Sequence, residues 1–355
     1  MGVVFGLSLG LVILLTFVAF SNDLLMIRPR RASTARQFIA LIPARNEAGK
    51  IGPLVAQLRE MRVNVVVYDD DSTDGTGEEA AAAGAQVMRG SGPPEGWTGK
   101  NYACYQLSKV AAEVHPGDWW LFLDADVELK PFAAGYLNFL IERQGVRWPV
   151  ITGFLTTAPG RGLEFWATNW VWEILLATNP FGLVSRTRLG HNRFTNGQIQ
   201  LWNSSTYLEV NPHESVRGEV LDDVAIGRLL ARQRVPVLVA DLTAVGTVRM
   251  YDTFRQGLDG MSKNGYAIAG RATPLLVLFF VAWALSGFGL ATQWRIWGYF
   301  AAAFPAAIAL GIVKRGMAYA LLYPIDLLVG AFTLLRSQIW YRRRSITWKG
   351  RTYSG

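Results

Sequence analysis

The chain has 355 residues, 51% of them hydrophobic, with one cysteine and a formal net charge of +8. That length builds one large or two ordinary domains with a real core, and the apolar share is high for a purely soluble enzyme. The lone Cys104 excludes an internal disulfide framework and is expected to be buried and inert. Six of the eight net charges fall at the end of the chain, on Arg336, Arg342, Arg343, Arg344, Lys349 and Arg351. A basic tail behind an apolar segment suits an anionic membrane surface, and without a basic patch interleaved with aromatics elsewhere, nucleic acid is not an expected partner.

From Gly2 to Phe20 no charge interrupts the apolar run, which is close to the roughly 20 residues that cross a bilayer. Arg28, Arg30, Arg31 and Arg36 follow it, the reverse of a signal peptide's order. Residues 1–22 therefore read as an uncleaved transmembrane anchor, with the following domain in the cytosol.

From residue 37 short apolar strands alternate with helices. "QFIALIP" predicts a strand, residues 46–61 a helix and "VNVVVYD" a second strand. Ser72 or Asp74 is placed to cap the Ala-rich helix that follows. "AQVMR" is a third strand, "NYACYQLSKVAAEV" a helix and "DWWLFLD" a fourth strand. Continuous apolar strands alternating with helices predict an α/β fold, a mostly parallel sheet with helices on both faces. Ligands of such sheets bind beyond the carboxyl ends of the strands, and three exits carry polar clusters: "PARNE", "DDDSTDGT" and "DAD".

Asp124 and Asp126 stand two residues apart as the fourth strand ends, so their side chains share one side. Two carboxylates that close repel unless a cation or a proton lies between them. A calcium loop is excluded at "DDDSTDGTGEEA", because with Gly75 at the turn position the twelfth residue is Ala81 rather than Glu. "LFLDADVEL" is also similar to the strand exit of phosphoaspartyl phosphatases, but those enzymes open their fold with that strand and here it is the fourth. A purely structural reading has the aspartates capping the next element.

Between Leu163 and Val184 an apolar, Trp-rich stretch is interrupted by Glu164, Asn169, Glu173 and Pro180. It is too broken to span a bilayer; an interfacial amphipathic helix and a buried core helix both fit. After Thr273 three apolar segments, separated by Gln293–Arg295 and by Lys314–Arg315, make residues 273–337 a transmembrane or re-entrant region ahead of a basic cytosolic tail, 338–355. Three full crossings would carry that tail outside, against the positive-inside rule. One segment is thus expected to be re-entrant, and the third, with Pro324 and Asp326, is the candidate.

Five stretches in one order resemble the family 2 glycosyltransferases: "IPARNE" (42–47), "VVVYDDDSTDGT" (65–76), "GWTGKNYA" (96–103), "LDAD" (123–126) and "VLDDVAIGRLL" (220–230). The last has Asp222 where the family usually has Glu. The resemblance covers residues 37–270 and implies the nucleotide-binding type A fold in a cytosolic catalytic domain at a bacterial-type inner membrane. It implies a divalent ion, Mn²⁺ or Mg²⁺, on Asp126 and Asp124. It also implies a donor pocket of Pro43, Ala44, Arg45, Glu47, Asp69, Asp70, Lys100 and Asp124, with Asp223, beside Asp222, as the general base of an inverting displacement. The Q-x-x-R-W motif of processive synthases is missing from residues 248–266, so polymerisation is not expected.

That part of the chain is similar instead to membrane enzymes that glycosylate carotenoid, hopanoid-associated and ceramide-type lipids. On that resemblance Gln198, His213, Tyr251, Arg255 and Lys263 are acceptor or diphosphate candidates, a structural role being an equal alternative for His213. The implied function is transfer of a sugar, glucose first among the expectations, from a UDP-sugar to a hydroxyl of a membrane lipid. Transfer to a polyprenyl phosphate is the alternative within enzymes, and an inert nucleotide-sugar-binding scaffold is the alternative from another class.

Overall fold

A computed structural model describes residues 1–34, 37–115, 117–158, 160, 162–187, 192–343, 346–348 and 351–353. Arg36, Arg344 and Lys349, counted above among the flanking and tail charges, lie outside the described residues. The chain forms two compact units, one of Met1–Met26, Thr157–Arg186 and Arg249–Gly355, the other of Ile27–Thr156 and Thr187–Val248. Residues 157–186 and 249–270, which the sequence placed in the catalytic segment, group with the apolar helices.

Helix α1 (Gly2–Leu25) opens the chain. The predicted alternation follows as β1 (Phe38–Ala44), α2 (Ile51–Glu60), β2 (Asn64–Asp70), α3 (Thr76–Ala82), β3 (Gln86–Gly90), α4 (Gly99–Val114) and β4 (Trp119–Leu123). Next come β5 (Val127–Leu129), α5 (Ala133–Gln144), β6 (Val150–Phe154), β7 (Thr156–Thr157), α6 (Glu164–Thr178) and α7 (Phe181–Thr187). The chain continues through β8 (Ile199–Asn203), α8 (Ser204–Val210), α9 (Pro212–Ser215), α10 (Asp222–Gln233), β9 (Val237–Asp241) and β10 (Gly246–Val248). It ends with α11 (Phe254–Ala269), α12 (Thr273–Trp294), α13 (Ile296–Ile312), a 3₁₀ segment (Met317–Leu322), α14 (Tyr323–Arg342) and a short antiparallel pair, β11 (Ile346–Trp348) and β12 (Arg351–Tyr353).

Two helix starts differ from expectation, for backbone reasons. Asn46 (φ 53°) and Gly49 (φ 82°) are left-handed, so α2 begins at Ile51 rather than at 46. Gly75 (φ 86°) likewise delays α3 to Thr76, whose N–H donates to Asp74 Oδ1 at 3.1 Å.

The seven-stranded sheet has the order β3-β2-β1-β4-β8-β6-β9. Strand β1 runs parallel to β2 and β4, and β6 parallel to β9, while β8 is antiparallel to both neighbours. Ala40 and Ile42 join the core with Leu54 of α2 and Leu137 of α5; the period of two turns Ile39 and Leu41 to the other face, where α4 packs on β1. The reversal of β8 decides the geometry of the rim. Because Leu123 pairs with Ile199, the chain enters β8 at the very edge where β4 leaves the sheet.

In the helical unit α6 is a core helix: Trp170, Trp172, Asn169 and Glu173 are all buried. Fully buried Arg315 donates to the Glu164 carboxylate through Nη2, to Asn169 Oδ1 through Nε (3.0 Å) and to the Ala158 carbonyl through Nη1 (2.8 Å). Three helical stretches are long and apolar enough to cross a membrane, Gly2–Leu25, Phe254–Trp294 and Met317–Arg342, while α13 has only 17 residues.

Contacts order these helices by direction. Along α14, Tyr323 meets Ala284 and Gly287, Gly330 meets Phe280, and Ser337 bonds Tyr266 of α11, so α14 runs antiparallel to α12. The return of the 3₁₀ segment along α13 is just as plain: Trp283 donates to Ala302, Met317 packs on Gly311, and the Tyr299 hydroxyl donates to the Leu321 carbonyl. Helix α13 and the 3₁₀ segment thus form a hairpin whose tip Arg315 pins to α6. The fold-back lies there, not in α14 where Pro324 and Asp326 had suggested it. Were α12 and α14 to cross a membrane, their antiparallel run would return Arg342 to the side of Arg271, and the count of crossings would no longer conflict with the basic tail.

In sealed vesicles, an impermeant maleimide should label cysteines placed at Arg271 and Arg342 from one side and at Arg295 from the other; labelling of 342 together with 295 would contradict the hairpin. Replacing Arg315 with Met strands the buried Glu164 carboxylate, so stability in detergent should fall by about 3–5 kcal/mol. Adding Glu164→Met should recover most of that loss in the same thermal melts.

Candidate active site

Two strand exits build the first half of the rim. Pro43 and Ala44 end β1 beside Tyr68 and Asp69 of β2. Arg45 crosses over to β2, its Nη1 donating to the Asp70 carbonyl at 2.6 Å with the Asp70 carboxylate 3.8 Å away. Much of the neighbouring acidic run fixes backbone, though not as the expected cap of the next helix: the N-cap of α3 is Gly75, without a side-chain cap from Ser72 or Asp74. Asp69 accepts from Ser72 N (3.1 Å), Asp74 from Ala48 N (3.1 Å), and Glu79 from Gly49 N and Gly52 N (2.6 and 3.0 Å). Glu47 is held by its own N–H on Thr76 Oγ1 (2.8 Å) and pairs with Lys50 at 3.1 Å. Asp70 and Arg45 are left facing the rim.

The second half surrounds one lysine. Thr98 caps α4, accepting from Asn101 N, and fully buried Asn101 donates to the carbonyls of Val216, Arg217 and Glu219, tying this turn to the approach to α10. Lys100 Nζ then lies 2.7 Å from Asp124 Oδ1, 3.1 Å from the Gly197 carbonyl and 4.0 Å from Asp222. Asp223, in the first turn of α10, accepts from Val224 N (2.7 Å) and Gly197 N (3.3 Å). The Asp124 N–H donates to the Gln198 carbonyl at 3.1 Å. Asp124, Asp126, Asp222 and Asp223 are thereby drawn to one rim.

Burial dominates their titration. It pushes Asp124 up to about 7, with Lys100 opposing and Asp126 adding repulsion. Asp126 is raised by burial and then by Glu47. Asp223 rises to about 6 through burial and the adjacent Asp222, against Lys100. Lys100 itself is held well above its ordinary value: burial disfavours its charge, but Asp124 and Asp222 outweigh that.

The donor set suits a hard divalent cation. Asp126 Oδ1 is buried without a hydrogen-bond partner, an expensive state that a cation would relieve. Among the described residues no group of three or more His, Cys, Asp or Glu forms a complete cage. Asp124 and Asp126 would therefore hold the ion together with phosphate oxygens and water, the usual arrangement for a small dication on a nucleotide.

Other candidates fall elsewhere. His213 is 1% exposed, its Nδ1 2.6 Å from the Tyr207 hydroxyl and its ring beside Phe122, and burial lowers it to about 4, so it is neutral. Gln198 stands at the rim, where its Oε1 accepts from Asn196. Tyr251, Arg255 and Lys263 belong to the helical unit; Tyr251 packs its phenol over Gly260, and Arg255 is almost fully exposed beside Asp259. Cys104 is buried and free. Reasoning from sequence missed Asn101 and Gly197; a glycine directly before the reversed strand was the available signal.

Residues 39–146 match the model of glycosyl transferase family 2. The chain carries a family 2 glycosyltransferase domain. It is 27% identical over 290 residues to the 4,4'-diaponeurosporenoate glycosyltransferase of Staphylococcus haemolyticus (strain JCSC1435), covering 78% of this chain and 74% of that protein. The protein of the same description from Staphylococcus aureus (strain USA300) is 29% identical over 252 residues, 68% of this chain and 64% of the relative, so the chain spans just under two thirds of it. Among solved structures, S. aureus TarS 1-349 is similar at 13% identity, covering 90% of this chain and 99% of that one with a TM-score of 0.40. The mostly parallel sheet with apolar helices is the architecture the sequence implied, and the inert scaffold gives way to an enzyme that transfers glycosyl groups.

Proposed function

We propose that this family 2 enzyme moves a sugar, glucose first among the candidates, from a UDP-sugar to a hydroxyl of a carotenoid-type membrane lipid, with inversion and with Mn²⁺ or Mg²⁺ bound. The observation that carries this reading is the convergence of Asp124 and Asp222 on Lys100 at one strand rim, with Asp223 held beside them by Gly197 and Asp126 two residues beyond Asp124. A diphosphate cannot approach so acidic a rim unless positive charge accompanies it, and a divalent ion supplies that charge and steadies the leaving group. Asp70 and Arg45 are placed to hold the nucleotide. Lys100 meets the diphosphate side, and Asp223 takes the acceptor's proton as its oxygen attacks the anomeric carbon opposite the leaving group. A single displacement inverts that carbon.

The charges around the base favour a neutral acceptor. Asp223 is flanked by Asp222 and by Lys100, whose charge Asp124 already engages. A phosphate acceptor would meet net negative charge there, which weighs against the polyprenyl phosphate alternative. The carotenoid class rests on the relatives' names. The apolar helices on both sides of the catalytic segment suit an acceptor that stays in the bilayer, with the chemistry at the cytosolic face.

Asp223→Asn should lower kcat by about 10²–10⁴ while calorimetry shows UDP binding in Mn²⁺ unchanged. The substrate in the relatives' name is a carboxylate, and a carboxylate acceptor needs no base, so a loss below tenfold would oppose the hydroxyl reading. With metal saturating, kcat/KM should fall as pH drops through about 6, where Asp223 takes up its proton. Asp126→Ala should abolish metal-dependent UDP binding; unchanged affinity in calorimetry would remove the metal role.

A further inference from the structure

Gly197 touches both sides of the proposed chemistry. Its carbonyl accepts from Lys100 Nζ at 3.1 Å, and its N–H donates to Asp223 Oδ2 at 3.3 Å. The flanking residues are fixed just as firmly. Thr195 Oγ1 donates to the Asp223 carbonyl (2.7 Å), Asn196 N to Thr152 Oγ1 (3.0 Å), and Asn196 Nδ2 to the Gly153 carbonyl (2.9 Å). On the other side, the Gln198 carbonyl accepts from Asp124 N at 3.1 Å. One four-residue stretch thus joins the strand that carries the acidic pair, the lysine and the base.

The missing side chain has a use that no turn explains. Gly197 is not among the residues with positive φ, so its backbone is open to any residue. A Cβ built on it would lie 3.0 Å from Lys100 Nζ and 3.5 Å from Asp223 Oδ2. Space, not conformation, selects glycine here. The bland reading is a packing glycine, but a packing glycine faces core atoms, and this one faces the functional ends of two charged side chains.

We propose that Gly197 is a positioning residue of the transfer reaction: through its own N–H and carbonyl, and with nothing projecting between them, it sets the separation of Lys100 from Asp223. The donor-side cation and the base are registered to a single residue, which is anchored in turn to the strand of Asp124. This rests on the reading of Asp223 as base, and the test keeps the two apart.

In Gly197→Ala the methyl displaces the lysine tip, the only flexible atom in its way. Thermal unfolding should stay within a few degrees of the parent, and UDP binding in Mn²⁺ by calorimetry should weaken by less than kcat falls, since Lys100 moves but Asp70, Arg45 and the acidic pair do not. The kcat should fall by about 10- to 100-fold, the scale of a misplacement near 1 Å. With metal saturating, the acid limb of kcat/KM should move upward in pH, because Lys100 withdraws from Asp223 while Asp222 stays beside it. A variant with parental kcat and an unmoved acid limb, tested beside an inactive Asp223→Asn, would overturn the positioning role alone. If Asp223→Asn keeps its activity, the base assignment fails first and takes this proposal with it. A Gly197→Ala protein that does not fold would make the residue a packing glycine, and that too would overturn the proposal.

Discussion

Like charges crowded into little space are the constraint on which the site depends. Four carboxylates gather at one strand rim, and in water each would keep its distance from the others. The fold brings them together by placing a partly buried ammonium, Lys100, 2.7 Å from Asp124 and 4.0 Å from Asp222. One positive charge does not balance four negative ones. The imbalance emerges in the raised proton affinities of Asp124 and Asp223 and in the unpartnered Asp126 oxygen. A site left that acidic is built to receive positive charge along with its ligand.

The reversed strand β8 turns this electrostatic problem into a geometric solution. In a wholly parallel sheet every strand would leave at the rim and none would enter there. Strand β8 runs against β4, so its entry, with Gly197 and Gln198, lies where the acidic pair emerges. Asp223 arrives on a helix start, where the dipole favours a carboxylate. Asn101 fastens the loop before that helix to the turn that carries Lys100. Lys100 and Asp223 are therefore not independent placements.

How much of this was legible follows from what sequence patterns encode. Apolar runs of five to seven residues ending in polar clusters gave away β1, β2 and β4, because strand burial leaves a direct compositional trace. The acidic pair and Asp223 showed for the same reason: charged residues where a core ends demand an explanation. Strand β8 was not foreseen as antiparallel, since direction leaves no mark on "IQLWN". Gly197 stayed hidden because its role is an absence of atoms next to residues 97 and 26 positions away. The α13 hairpin was misassigned because Pro324 and Asp326 look disruptive in a linear reading. In the fold Pro324 sits harmlessly in the first turn of α14, where proline costs no hydrogen bond, and Asp326 accepts from Asn169.

The two units each turn on one cation, fully buried in the helical unit and partly buried at the strand rim, and the choice of residue follows the setting. In the helical unit the cation must hold a hairpin tip still, and Arg315 spends a rigid fork of donors on Glu164, Asn169 and Ala158 at once. Guanidinium suits that, being always charged and geometrically fixed. At the strand rim, on the proposed reading, the cation would share space with an incoming ligand. Lys100 brings a point charge on a flexible stem and donates to only two groups within 3.1 Å, so it can turn from carboxylate to phosphate without breaking a fixed network. An arginine there would satisfy the carboxylates too well, and its planar fork would have to be dismantled for a donor to bind on the proposed reading. The weaker grip of lysine is what leaves the rim able to exchange partners.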